Sequence, residues 1–180
     1  PPHPSEDSYA HSKRIMLAHL DGAKKQYGLS SAFVISGNLY GPHDSFNIEE
    51  GHVIPSLVAK FFAASREDKS VNVWGSGVAI RDFSYCDDTA EAWIAILRNV
   101  EGAVNMGSGM RHPIRDIVHV LQALTGVPVE WDVKKPDGQL VRYYNLDILE
   151  STGFKAKVGL EDGVRLTYEW YAANWQAARK

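Results

Sequence analysis

Apolar residues recur at two different spacings along the chain, and the two spacings alternate. Helix-like spacing predicts five helices, over residues 8–25, 53–64, 87–98, 114–124 and 160–178. Short apolar or alternating runs predict five strands, over residues 32–35, 70–74, 80–85, 103–106 and 127–133. The polar stretch 38–51 contains Gly and Pro and is predicted to be a loop, as is the Pro-rich opening run. Asp87-Asp88-Thr89 is predicted to cap the third helix.

The alternation of strands and helices predicts an α/β fold. Residues 1–50 are expected to form the end of a doubly wound parallel sheet, including the first helix. Residues 51–180 are expected to be mainly a smaller α/β lobe. Within them, residues 87–106 are a candidate to return to the main sheet.

Composition narrows the class of protein. The chain has 180 residues, of which 44% are hydrophobic and 23% charged, as in ordinary globular proteins. Its net charge of −3 gives no reason to expect nucleic acid binding. No apolar run is long enough for a bilayer, and the opening residues have no signal-peptide pattern. A single cysteine, Cys86, fits a reducing compartment and therefore favours the cytoplasm. The side chain of Cys86 is expected to be small, apolar and buried.

The first helix contains a tyrosine with a lysine one turn later. Tyr9 and Lys13 lie four positions apart and therefore share a helix face. A phenol with a pKa near 10 is a poor acid at neutral pH, and a neighbouring ammonium lowers that pKa. The alternative interpretation is a half-buried tyrosine beside a solvated lysine.

A series of further motifs follows in a fixed order: Pro1-Pro2-His3-Pro4-Ser5, Tyr9-Ala10-His11-Ser12-Lys13, Asn38-Leu39-Tyr40-Gly41-Pro42-His43-Asp44, His52-Val53-Ile54-Pro55, Val73-Trp74-Gly75-Ser76-Gly77, Arg81-Asp82-Phe83, Asp87-Asp88 and Lys135-Pro136-Asp137-Gly138. This series resembles the extended short-chain dehydrogenase/reductases, the NAD-dependent epimerase/dehydratase family. Within that family the chain looks most like the GDP-L-fucose synthase branch, from residue 1 to about residue 175. The resemblance implies the C-terminal part of a Rossmann sheet joined to a substrate-binding lobe.

The resemblance also implies roles for individual residues. Tyr9 would donate a proton to a 4-keto oxygen, Lys13 would hold the nicotinamide ribose, and His52 would be the acid of the epimerisation steps. Four residues beside the nicotinamide end of the cofactor, together with Tyr9, Lys13 and His52, would bind it: Ser36, Gly37, Asn38 and Leu39. Five residues would hold the sugar nucleotide: Asn38, Lys60, Trp74, Arg81 and Asp137.

The chemistry of these residue types agrees with the implied roles. The guanidinium of Arg81 suits a diphosphate, and the indole of Trp74 suits stacking. Asp137 can accept hydrogen bonds from guanine or ribose donors. Alternative interpretations stay open: Trp74 in the core, Arg81 in an ion pair with Asp82, Lys60 as a solvated residue, and Asp137 as a turn former.

The chain also departs from the pattern of the family. The glycine-rich dinucleotide loop is not in this sequence, and Gly75-x-Gly77 and Gly107-x-Gly109 are too short to replace it. The catalytic Ser and the epimerase Cys of the family are likewise expected upstream. Where the family commonly has Pro-Thr-Asn this chain has Ser36-Gly37-Asn38, which leaves a different sugar specificity open. The histidines lack the spacing of metal ligands, so no metal is expected.

These observations lead to two function hypotheses. The first is an NADP-dependent sugar-nucleotide epimerase/reductase, with NAD as the alternative cofactor, and with a 4-epimerase or 4,6-dehydratase of the same family as the runner-up. The second is a non-catalytic sugar-nucleotide-binding module. The isolated chain is expected to be inactive. A homodimer is expected, because the first helix carries apolar residues on more than one face, and related enzymes pair through this helix. No nucleic acid or membrane partner is expected.

Overall fold

The computed structural model describes residues 7–180. The predicted loop at the Pro-rich start, and the motif Pro1–Ser5, lie outside the described residues. Residues 7–180 contain six helices: α1 Asp7–Tyr27, α2 Val53–Glu67, α3 Cys86–Asn99, α4 Ile114–Thr125, α5 Asp147–Ser151 and α6 Leu160–Asn174. Seven strands accompany them: β1 Ala32–Ser36, β2 Asn38–Tyr40, β3 Val71–Trp74, β4 Ile80–Tyr85, β5 Gly102–Met106, β6 Arg111–Pro113 and β7 Val129–Asp132.

The strands form three small sheets, which together confirm the predicted α/β class. β1 pairs with β5 in parallel, β2 pairs with β4 in parallel, and β3 pairs with β7 in parallel. β6 joins β4 on its other side in antiparallel orientation. If residues 87–106 return to the first sheet, β5 must pair with β1, and it does. The division of the chain into two domains stays a prediction.

Three local predictions were wrong or incomplete. Residues 38–40 are a strand rather than a loop. The sequence could not show this, because three residues are too few to reveal the two-residue period of a strand. β6 and α5 were missed for the same reason. The cap at Asp87-Asp88-Thr89 was also wrong: α3 begins at Cys86 after an N-cap at Tyr85 that makes no side-chain cap bond.

The carboxylate of Asp88 serves a different purpose from the one predicted. It is buried and accepts hydrogen bonds from the backbone amides of Lys157 and Val158, at 3.0 and 2.9 Å. It therefore ties the segment before α6 to the start of α3.

Two apolar cores hold these elements together. The larger lies between α2, α4 and α6 on one side and β3 and β4 on the other, with Val58, Phe61 and Val164 fully buried. The smaller joins α3, β5 and α5 around Ile96, Val104 and other side chains. The larger core fixes the walls of the cavity described below.

Helix α1 contributes to neither core. None of its 21 residues is buried, and the side chains of Tyr9, Ile15 and Met16 are at least half exposed. The helix therefore has apolar surface that no other described element covers.

Candidate functional site

A cavity of about 660 Å³ opens between α2, the turn from β3 to β4, and the segment that follows β7. Four of the five residues predicted to hold a substrate line it: Lys60, Trp74, Arg81 and Asp137. They come from positions up to 77 residues apart in the sequence (137 − 60). The fold thus brings together side chains that the sequence only suggested should meet.

Trp74 presents its ring to the solvent at the edge of this cavity. Its side chain is 65% exposed, which excludes the interpretation of Trp74 as a core residue. The ammonium of Lys60 lies 5.6 Å from the ring centre and that of Lys135 lies 5.2 Å from it. Partial burial lowers the pKa of Lys60, because the charged form loses hydration. The indole therefore offers a flat surface beside two cations.

Arg81 lies beside a second arginine. Ile80 forms a parallel bridge with Val141, and the Arg142 amide donates to the Ile80 carbonyl at 3.2 Å. Residues that follow a bridged pair in parallel strands extend to the same side, so Arg81 and Arg142 are neighbours. Burial lowers the pKa of Arg81, and the charge of Arg142 lowers it further. The two guanidiniums concentrate positive charge beside β4, and such charge attracts an anion.

Neither of these arginines pairs with an acid. Among residues 7–180, no carboxylate oxygen lies within 4.0 Å of a nitrogen of Arg81 or Arg142. The alternative of an ion pair between Arg81 and Asp82 is excluded, because Arg81 donates to the carbonyl of Ile80 instead. The positive charge is therefore available to a ligand.

Asp137 is fixed at the rim of the cavity. Its Oδ1 accepts a hydrogen bond from the Ser76 amide at 2.6 Å, and its Oδ2 accepts one from the Ser76 hydroxyl at 2.9 Å. These bonds lower the pKa of Asp137. Gly75 makes the approach possible, because a Cβ at its position would overlap the carboxylate. Both oxygens of Asp137 are thus already engaged with the protein.

The residues predicted to border a cofactor lie at the edge where β1 and β5 end. Ser36 pairs with Met106, and the Gly37 amide donates to the Met106 carbonyl at 2.9 Å. Ligands of open α/β sheets bind outside the carboxyl ends of parallel strands. Asn38 and Leu39 continue from this edge into β2.

The turn that follows β5 at this edge is held by a buried acid. Asp82 is 1% exposed and accepts hydrogen bonds from the Ser108 amide, the Ser108 hydroxyl and the Gly109 amide, at 2.8, 2.7 and 3.0 Å. This explains the Gly107-x-Gly109 pattern: a side chain at Gly107 would strike the same carboxylate.

Asn38 connects the two regions. Its Nδ2 donates to the Asp82 carbonyl at 2.8 Å, and its Oδ1 accepts from Nη2 of Arg142 at 3.0 Å. One amide side chain therefore links the strand edge to the arginine pair, although Asn38 does not line the cavity itself.

The three predicted catalytic residues lie on the surface outside the cavity. Tyr9 and Lys13 share a face of α1, with the Lys13 ammonium 5.2 Å from the centre of the Tyr9 ring. His52 is exposed and is the N-cap residue of α2, immediately before the cavity residue Val53. Their roles stay predictions.

Two contributors to the site were missed from the sequence. Arg142 was missed because the apolar and polar residues around it follow no helix or strand period. Only the pairing of its segment with Ile80 shows that Arg142 lies beside Arg81. Lys135 was read only as part of a motif. Cys86 is partly rather than fully buried, and burial raises the pKa of its thiol.

Comparison with known proteins settles the family. Residues 1–107 match the NAD dependent epimerase/dehydratase family. The chain belongs to this family.

Relatives within the family confirm the resemblance to GDP-L-fucose synthases. The chain is 32% identical over 185 residues to the probable GDP-L-fucose synthase 1 of Oryza sativa subsp. japonica, covering 100% of this chain and 56% of that protein. It is 31% identical to the GDP-L-fucose synthase of Escherichia coli strain K12, covering 95% of this chain and 58% of that protein. The chain therefore spans about half the length of the curated relatives it matches.

Solved structures of the family agree with the fold. A GDP-L-fucose synthetase from Naegleria fowleri bound to NADP superimposes with a TM-score of 0.88 at 27% identity, over 100% of this chain and 57% of that one.

Within residues 7–180 no helix is long and apolar enough to cross a bilayer. The same residues contain no cluster of three or more acidic, His or Cys side chains suited to a metal ion.

Proposed function

We propose that this chain forms the substrate-binding part of an NADP-dependent sugar-nucleotide epimerase/reductase of the GDP-L-fucose synthase type. The substrate would be GDP-4-keto-6-deoxymannose. The observation that carries the proposal is the convergence of Lys60, Trp74, Arg81 and Asp137 on one cavity. The similarity to named GDP-L-fucose synthases supports the choice of sugar nucleotide.

The cavity fits the charge and shape of a nucleoside diphosphate. Arg81 lines the cavity and has Arg142 beside it, and the forked donors of a guanidinium match the oxygens of a diphosphate. Trp74 covers the base or the sugar by stacking, as a ligand displaces one of the two ammonium groups now near its ring. Binding is therefore expected to depend on both charge and aromatic surface.

The chemistry would use residues outside the cavity. A 4-keto group acidifies the protons at C3 and C5, and His52 returns a proton to the opposite face after a base has removed one. NADPH, when bound, supplies the hydride for C4. Tyr9 donates a proton to the developing alkoxide, and Lys13 lowers the pKa of the phenol.

The edge formed by β1 and β5 fits the nicotinamide end of that cofactor. Ser36, Gly37, Asn38 and Leu39 lie there. A Cβ at Gly37 would come within 3.0 Å of Cε2 of Tyr144, so the glycine lets that ring pack against the backbone. No glycine-rich loop for the pyrophosphate is present in the sequence. NAD remains the alternative cofactor.

Two further functions share part of this support. A 4-epimerase or 4,6-dehydratase acting on another sugar is favoured by the sequence Ser36-Gly37-Asn38, which differs from the pattern of the branch. A non-catalytic binding module shares the support of the cavity, because binding a sugar nucleotide there needs no cofactor.

Substitution of Arg81 tests whether the cavity binds a nucleoside diphosphate. Arg81→Ala is expected to weaken the binding of GDP about 10- to 100-fold, because a hydrogen bond to a charged group contributes about 1.5–3 kcal/mol. Isothermal titration calorimetry with the 180-residue chain measures this. Arg98→Ala, an exposed arginine at the end of α3, is the control and should bind GDP as the wild type does. Equal affinities for Arg81→Ala and Arg98→Ala would remove the basis of the proposed function.

We also propose that the active protein is a cytoplasmic homodimer in which α1 lies in the interface. The support for the dimer is the exposed apolar surface around Ile15 and Met16. Light scattering on an active protein that contains this chain should give twice the mass of one subunit, and Ile15→Glu together with Met16→Glu should shift it to the mass of one. A wild-type protein that stays monomeric at micromolar concentration contradicts the dimer.

A further inference from the structure

The short turn before α2 fixes the backbone of Glu49, whose side chain is exposed. The Oδ1 of Asn47 accepts hydrogen bonds from the amides of Glu49 and Glu50, both at 2.8 Å, and the Gly51 amide closes the turn on the Asn47 carbonyl at 3.0 Å. A side chain at Gly51 would overlap that carbonyl, so the turn needs glycine there. The backbone of Glu49 is therefore set by local bonds.

The same turn is attached to the wall of the cavity. The hydroxyl of the buried Ser56 in α2 donates to the Ile48 carbonyl at 2.8 Å. Ile48 and Glu49 line both the main cavity and a smaller one of about 370 Å³. Glu49 is thus a wall residue of the cavity that the proposed substrate would occupy.

The other polar side chains of the cavity either can only donate or already form hydrogen bonds with the protein. Lys60 and Arg81 can only donate, and Ser56 donates its hydroxyl proton to Ile48. Asp137 has both oxygens engaged by Ser76. Glu49 is the remaining carboxylate on the wall.

The carboxylate of Glu49 has no such partner. Within residues 7–180, no Lys, Arg or His nitrogen lies within 4.0 Å of it, and no side chain or amide donates a hydrogen bond to it. A free carboxylate has two oxygens and accepts two adjacent donors at once.

We propose that Glu49 is the residue that recognises the nucleoside part of the substrate, by accepting hydrogen bonds from a pair of adjacent donors. This rests on the proposed function. Such pairs exist on the guanine edge, as the N1–H and the exocyclic amine, and on the ribose, as its two hydroxyls. The resemblance implied this role for Asp137, but each oxygen of Asp137 already accepts a hydrogen bond from Ser76, whereas Glu49 accepts none within residues 7–180, so we assign the role to Glu49.

The test compares three nucleotides on three proteins. GDP, inosine diphosphate, which lacks the exocyclic amine, and 2′-deoxy-GDP are titrated by calorimetry into the wild type, Glu49→Gln and Glu50→Gln. Glu50 lies in the same turn, is exposed and does not line the cavity, so it is the matched control. Glutamine keeps the shape of the side chain and one acceptor but loses the charge.

We expect Glu49→Gln to weaken GDP binding about 10-fold or more, the scale of a charge-assisted hydrogen bond, and Glu50→Gln to leave it unchanged. If Glu49 contacts the base, the wild type prefers GDP over inosine diphosphate and Glu49→Gln loses that preference. If it contacts the ribose, the lost preference is the one for GDP over 2′-deoxy-GDP.

Other outcomes overturn the inference. Equal affinity of the wild type for all three nucleotides contradicts it, as does wild-type binding by Glu49→Gln. If Arg81→Ala weakens GDP binding while Glu49→Gln does not, this inference alone is wrong. If the wild type binds none of the nucleotides, the proposed function is wrong as well.

Discussion

Replacing Tyr9 by phenylalanine is expected to lower the rate of 4-keto reduction about 10²–10⁴-fold in an active protein that contains this chain. The change removes only the phenol oxygen and leaves the ring that the Lys13 ammonium faces at 5.2 Å. The phenol is needed only when an alkoxide forms at C4. Proton exchange at C3 and C5 should therefore continue, and solvent deuterium incorporation measured by mass spectrometry separates the two steps.

His52→Gln is the matched counterpart and should give the opposite pattern. Exchange at C3 and C5 is expected to slow by about 10²-fold, the scale of one lost acid, while the affinity for NADPH stays within a few-fold. His52 is exposed at the start of α2, so the substitution should leave the stability of the fold unchanged. Loss of exchange in Tyr9→Phe, or normal exchange in His52→Gln, contradicts the assignment of these roles.

Asp82→Ala is expected to cost about 3 kcal/mol of the free energy of unfolding. The carboxylate is 1% exposed and accepts three hydrogen bonds from Ser108 and Gly109. Its removal breaks three hydrogen bonds to a buried charged group, from half-buried Ser108 and exposed Gly109, and one such bond contributes about 1.5–3 kcal/mol. Urea denaturation of the chain, followed by circular dichroism, measures the loss.

A neighbouring acid provides the control for this experiment. Asp87 is exposed in the first turn of α3, and Asp87→Ala should change the free energy of unfolding by less than about 0.5 kcal/mol. An Asp82→Ala protein as stable as Asp87→Ala would mean that the turn after β5 does not depend on this carboxylate.

The sequence predicted most of the longer elements because their periods are clear. α4 and α2 were placed to within three residues at each end, since their apolar stripes extend over three or more turns. β2 and β6 could not be found, because three residues carry no measurable period and their place is set by pairing with β4.

The candidate site was predictable only where motifs marked it. Lys60, Trp74, Arg81 and Asp137 were found through the family resemblance, and the fold joins them in one cavity. The engagement of Asp137 with Ser76, and the position of Arg142 beside Arg81, depend on contacts between segments about 60 residues apart. No local pattern carries such information, so it had to come from the structure.

The exposed apolar surface of α1 links the positions of Tyr9 and Lys13 to the surface that covers this helix. A helix that buries none of its residues gains little free energy from its own hydrogen bonds, so Tyr9 and Lys13 are held in place by whichever surface covers the helix. If the second copy of the proposed dimer supplies that surface, turnover per molecule is expected to fall on dilution. In the proposed dimer, a substitution at that interface, remote from every substrate contact, is then expected to lower the activity by weakening the contacts between the subunits.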